Sequence, residues 1–298
     1  MSNVDVIMPA DAGADLPAVR RIAVTDLVDV LRLGVDDFRT MPTHVVFLSL
    51  IYPVVGLILA RTLHGMDLVP LIYPLATGFA LIGPFAAIGL YELSRRRGAG
   101  LDTSWRHAFD VRHSPSLISI LLLGGMLVVL SLVWVAVAHG IYVASFGIHG
   151  PETISAFVSK VLGTSAGFRL MIVGNLVGAL FAFLAFAVSV VSFPLLLDRN
   201  VGIAVAIATS LKTIAVNPGT MAVWAMIVAA GLVVGALPFL VGLAIVMPVL
   251  GHASWHLYQR VIEPSANARP AYHTPVKGRR YAAEFPASLS TRSRDPEA

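Results

Sequence analysis

Between Gly219 and His256 the chain runs for 38 residues without an Asp, Glu, Lys or Arg. A water-soluble domain has no place for such a run, because nearly every surface helix or strand must show charge to solvent. As one helix the segment would be about 57 Å long at about 1.5 Å per residue, against a hydrocarbon core of about 30 Å. The Gly235-Ala-Leu-Pro238 break divides it, since proline ends one helix and opens the next. Two spans are expected there, at about 220–235 and 237–258.

Four more apolar segments precede these, at about 45–61, 69–93, 117–144 and 168–197. The expected fold is an all-α, polytopic bundle of six transmembrane helices over residues 20–263. Residues 1–19 read as a flexible N-terminal tail, and residues 264–298, rich in Pro, Ser, Ala and Arg, as a disordered cytoplasmic tail. The bulk numbers agree: 57% of the 298 residues are hydrophobic, only 13% are charged, and the mean hydropathy is +0.81. They exclude a cytosolic enzyme, a disordered chain and an electrostatic nucleic-acid binder. The absence of cysteine removes disulfides, thiolate metal sites and a cysteine nucleophile.

The basic residues fix an orientation. With six spans, 18 of the 21 Lys and Arg fall on one side, and only Arg61, Lys160 and Arg169 on the other. The positive-inside rule then places both termini in the cytoplasm and reads the pI near 9.6 as orientation. No basic n-region leads into an apolar stretch at the N-terminus, so the first span is expected to act as the targeting signal and to be retained.

A repeated unit is discernible. Pro42, Pro115 and Pro218 each stand just before an odd-numbered span. Counting back four, seven and eleven residues gives Phe38, Val35 and Leu31, then Val111, Ala108 and Ser104, then Ile214, Leu211 and Ile207. These positions share one helical face, so each proline should follow a short amphipathic segment. Thr25, Thr103 and Asp198 are candidate N-caps. The exits match too: aligned on Pro84 and Pro248, Tyr91 meets Trp255 and Arg96 meets Arg260, and Phe193-Pro-Leu-Leu-Leu-Asp-Arg199 is a shorter echo. Two or three parallel repeats of amphipathic helix plus helical hairpin are expected.

The Pro-led hairpins, the aromatic-arginine exits and Tyr-Glu-Leu-Ser-Arg-Arg at 91–96 resemble the bacterial inner-membrane family known as domain of unknown function 2189. The resemblance covers about residues 20 to 263. It implies the fold and an inner-membrane location, and transfers no active residue.

Candidate chemistry is sparse. His252 and His256 share one face of the sixth span and are weak metal candidates, because no third ligand is apparent. They read better as hydrated histidines near the cytoplasmic interface, and with His139 they do not make the matched set a haem–copper centre needs. Asn175, between Gly174 and Gly178, is a polar side chain inside a span; helix packing is the simpler reading, with a solute site including Tyr73 and Ser189 as the other. Gly231-x-x-x-Gly235 reads as packing. Pro53, Pro74, Pro84, Pro194 and Pro248 read as kinks rather than cavity-lining breaks. Glu92, Arg61 and Arg169 lie at span ends, where long side chains reach water. Ile154–Leu162 in the outer loop is weakly amphipathic.

No nucleophile elbow, phosphate loop or zinc-protease motif occurs. The expected role is therefore a non-enzymatic inner-membrane scaffold, accessory or membrane-organising protein without cofactor; the alternative is a transporter of a neutral or lipid-like solute. Expected partners are membrane lipids, with Lys277, Arg279 and Arg280 able to touch anionic head groups, and no nucleic acid. Homo- and hetero-oligomers both stay open.

Overall fold

The computed structural model describes residues 16–41, 66–148, 153–237 and 241–264. The first expected span (45–61), Pro42, Pro53 and Pro238, and the basic tail with Lys277, Arg279 and Arg280 lie outside the described residues. Every regular element among the described residues is helical. In chain order these are α1 (Val24–Thr40), a 3-10 helix (Met66–Leu71), α2 (Ile72–Leu81), α3 (Gly83–Ala86) and α4 (Ile88–Gly98). A second 3-10 helix (Trp105–His113) leads to α5 (Leu117–Phe146), α6 (Ile154–Gly163), α7 (Ser165–Ser189) and α8 (Ser192–Asp198). The chain then forms α9 (Ile203–Val216), α10 (Pro218–Ala236) and α11 (Leu243–Val261).

Three stretches are long and apolar enough to cross a membrane: Leu117–Phe146, Ser165–Asp198 and Pro218–Ala236. Their outward faces carry Leu122, Val129, Leu132, Leu176, Leu180, Phe183 and Val233, all exposed. So much apolar surface is stable only against lipid. The expected span 69–93 is instead a chain of short helices, with turns at Ile82 and Ala87 on either side of Pro84. α11 stays helical through Pro248, but its second half is polar and buried. The weakly amphipathic stretch at 154–162 forms α6, capped by Thr153, whose hydroxyl accepts from Ala156 N at 3.1 Å.

The core gathers where the ends of α4, α8 and α11 meet α1 and the start of α5. Leu93, Leu123, Phe193, Leu196, Trp255 and Tyr258 are fully buried there. α1 lies along α11. A Cβ on Gly34 would stand 2.7 Å from Ala253 Cβ and 2.8 Å from Val249 O, so glycine sets how close these two helices come.

Helical segments do precede these prolines, and each turns a defined face to the protein. α1 buries Leu27, Val30, Gly34 and Asp37, and α9 buries Ala206, Thr209, Ser210 and Thr213. Relative to Pro42 and Pro218, the shared buried positions are five, eight and twelve residues back. Leu31, Val35 and Phe38 only flank this face, and Leu211 is exposed. With lipid as solvent an apolar stripe need not point inward, so the polar face can form the protein contact. The caps differ as well. Helices begin at Ala23, Ser104 and Gly202, and Asp26 Oδ2 accepts from Ala23 N at 2.8 Å, in place of the expected Thr25, Thr103 and Asp198 caps.

Residues 18–22 run extended between two other parts of the chain. Arg20 N donates to Val261 O at 2.7 Å and Glu263 N to Ala18 O at 3.0 Å, flanking a bridge between Val19 and Ile262. On the other side Asn217 reads the strand with its amide: Oδ1 accepts from Ile22 N and Nδ2 donates to Arg20 O, both at 2.9 Å. Thr220 Oγ1 donates to Ile22 O at 3.0 Å. This pairing begins inside the segment expected to be a flexible tail.

Candidate functional site

The most concentrated polar chemistry centres on Asp37, which is 2% exposed on α1. Asp37 faces the seam between α4 and α11 because Gly34, one turn earlier, admits α11 so closely. Its Oδ1 accepts from Arg97 Nη1 at 2.5 Å, while Oδ2 accepts from Ser94 Oγ at 2.5 Å and from His256 Nε2 at 2.8 Å. Arg97 also reaches Asp36 Oδ2 at 2.7 Å. Burial alone would raise the carboxyl, but the hydrogen bonds from His256, Ser94 and Arg97 outweigh it and hold Asp37 at about 2. The Asp37 and Asp36 carboxylates in turn push Arg97 upward.

Ser94 spends its single proton on Asp37, so its oxygen must accept from His252 Nδ1, 2.7 Å away. This assigns the proton of His252 to Nδ1. Its Nε2 is buried and makes no hydrogen bond of good geometry. His252 is therefore not a hydrated interfacial histidine: it is 0% exposed and bound inside the protein. The two histidines converge on one carboxylate, His256 directly and His252 through Ser94. Among the described residues no group of three His, Cys, Asp or Glu is disposed to hold a metal ion.

A second ionic cluster lies beside the first. Glu92 is fully buried and grips Arg95 in a two-pronged contact, Nε at 2.7 Å and Nη2 at 2.8 Å. It does not extend to water, as its place near a span end had implied; the low-dielectric setting demands a guanidinium instead. Arg96 Nη1 donates to Asp110 Oδ2 at 3.3 Å, and His107 sits between Asp110 at 2.6 Å and Asp102 at 3.0 Å. Ser104 N, and then His107, lower the exposed Asp102 carboxyl. A fourth buried acid, Asp198, accepts from Tyr258 Oη at 2.7 Å.

The other expected site residues do not come together. Tyr73 Oη donates to Asn175 Oδ1 at 2.8 Å, and Asn175 Nδ2 returns to Met171 O of its own helix at 2.7 Å. The pair joins α2 to α7 at the exposed surface. Ser189 is buried elsewhere and donates to Ala185 O at 2.6 Å. Gly178 faces the Trp134 ring and Gly231 faces Val246 and Leu250, while Gly174 faces open space.

Asp37, Asp110 and Ser94 had escaped notice. A signal was present: Asp37 and Asp110 each stand five residues before a proline that precedes a span. At that offset the third segment carries Thr213, also buried.

No curated protein and no solved structure matches the chain. A family model does match, over residues 72–198, from the start of α2 to the end of α8. The matched stretch contains Ser94, Arg97 and the Glu92 and Asp110 cluster, while Asp37, His252 and His256 lie outside it. Over residues 72–198 the chain matches the model of the family described as predicted integral membrane protein, DUF2189.

Proposed function

We propose that the chain is a non-catalytic protein of the bacterial inner membrane, acting as a scaffold, accessory subunit or membrane-organising factor. One observation carries this reading. The four buried acids among the described residues, Asp37, Glu92, Asp110 and Asp198, are all engaged by Arg, His, Ser or Tyr of the same chain. Groups that move protons or solutes need freedom to change partners, whereas these hold helices together. The Tyr73–Asn175 pair points the same way, since each satisfies the other across a helix contact.

The finer architecture belongs to the same proposal: six spans, both termini cytoplasmic, and parallel repeats of in-plane helix plus hairpin. The 18-to-3 split of basic residues supports the topology, and so does the pairing of residues 18–20 with 261–263. The shared buried offsets before Pro42 and Pro218 support the repeat.

The cysteine-free chain is its own background for the topology test. Single cysteines at 12, 150 and 275 are exposed to an impermeant maleimide in intact cells and in inverted vesicles. Labelling of 150 from outside and of 12 and 275 only from inside is expected; any other pattern overturns the topology. For the role, a flux screen in proteoliposomes is decisive. Solute flux through wild type that Asn175→Leu abolishes would replace the scaffold by a transporter.

A further inference from the structure

The 3-10 helix Trp105–His113 encloses, with α4 and the start of α5, a groove of about 370 Å³. That is within the roughly 300–1,000 Å³ of small-molecule sites. Its walls are apolar, built from Leu90, Leu93, Trp105, Phe109, Leu117 and Leu121. Trp105 and Phe109 meet edge to face at 6.2 Å, yet both are more than half exposed. The exposed Ile118, Leu121 and Leu122 continue this surface down the first turns of α5. Aromatic rings in such a position mark the level of lipid head groups.

Charge shows what covers the groove. Residues three apart eclipse on a 3-10 helix, so Arg106, Phe109 and Arg112 form one ridge, an aromatic ring between two guanidinium groups. Arg106 leans over Trp105, its Cζ 6.0 Å from the ring centroid. Both arginines are exposed, and neither has a carboxylate partner among the described residues. Arg95, Arg96, Arg97 and Arg260, by contrast, are all in ion pairs. An apolar slot rimmed by two unspent guanidinium groups complements a molecule with a hydrocarbon chain and a phosphate.

We propose that this groove seats one acyl chain of an anionic phospholipid, whose phosphate is held by Arg106 and Arg112. A zwitterionic lipid offers the same chain, but its own cation competes for the phosphate, so the arginines favour the anionic head group. The site is separate from the basic tail and independent of the scaffold reading; it requires only that Trp105–His113 lie at the membrane surface.

Native mass spectrometry of the purified full chain tests this, with phosphatidylglycerol and phosphatidylcholine of matched chains added in detergent. Wild type should retain phosphatidylglycerol about tenfold better, and R106Q/R112Q should fall to the phosphatidylcholine level. Leu121→Trp, at an exposed wall position, should weaken both lipids by blocking the chain. K277Q/R279Q/R280Q should keep the preference. Equal retention of both lipids by wild type overturns the proposal, as does an undiminished preference in R106Q/R112Q or a preference lost only in the tail variant. Flux measurements bear on the scaffold reading alone, so the two can fail separately.

Discussion

Asp37 and His256 meet at 2.8 Å although 219 positions of sequence separate them. The contact joins the amphipathic helix α1 to the last helix of the bundle, and Arg97 on α4 completes the seam. Removing one member leaves the rest buried beside an uncompensated charge. Asp37→Asn is expected to cost about 2–3 kcal/mol, below the roughly 3–5 kcal/mol of a fully buried pair because Arg97 is 32% exposed. Thermal unfolding in detergent measures it, and Arg97→Gln should cost less.

The same carboxylate predicts a pH dependence. Its folded value of about 2 lies below the ordinary 3.8, so Asp37 contributes stability above pH 4. The contribution fades as pH falls from 3.8 through about 2. The difference in unfolding midpoint between wild type and Asp37→Asn should therefore shrink as pH falls below 4. A gap that widened between pH 4 and pH 2 would contradict the bonding around Asp37.

Gly34→Ala should separate α1 from α11, at an overpacking cost of about 1–3 kcal/mol. Pairing it with Ala253→Gly should rescue only part of the loss, because Val249 O and Ala253 N stand within 2.8 Å of the new Cβ and cannot be trimmed. Full rescue in a stability assay would mean that the Ala253 methyl alone sets the spacing.

Asn217→Ala removes both amide contacts to residues 20–22. These part-buried groups each lose a hydrogen bond worth about 1 kcal/mol, enough to loosen the strand locally. Trypsin should then cleave after Arg20 and Arg21 well before wild type is cut there. Asn217→Asp, which keeps the acceptor and loses the donor, should be intermediate.

Tyr73→Phe should be nearly silent, at about 0.6 kcal/mol, the average for interhelical hydrogen bonds within a membrane. A far larger loss of stability would show that the Tyr73–Asn175 pair anchors more than α2 on α7.

The spans at 117–144, 168–197 and 220–235 were legible because lipid contact writes itself directly into composition. The Pro-led segments were legible as well, since their periodicity is local. Which face α1 turns to the protein was not legible: it holds Gly34 and Asp37 beside Leu27 and Val30, and Leu31, Val35 and Phe38 only flank it. A buried aspartate is readable only with its partners, and Ser94, Arg97 and His256 come from two other helices. His252 and His256 were noticed for their spacing, yet the residue that organises both was not. Two acids at one offset before Pro42 and Pro115 were the available clue.

The seam between α1 and α11 also imposes an order of assembly. Ribosomal synthesis delivers α1 first and its partner last, so while the intervening helices insert, the Asp37 carboxylate must wait at the aqueous boundary. Ser94 and Arg97 can reach it earlier, but its full set of partners exists only once His256 has emerged. Closure of this seam therefore comes after the intervening helices have been made, and a polypeptide interrupted before His252 would leave Asp37 without His256.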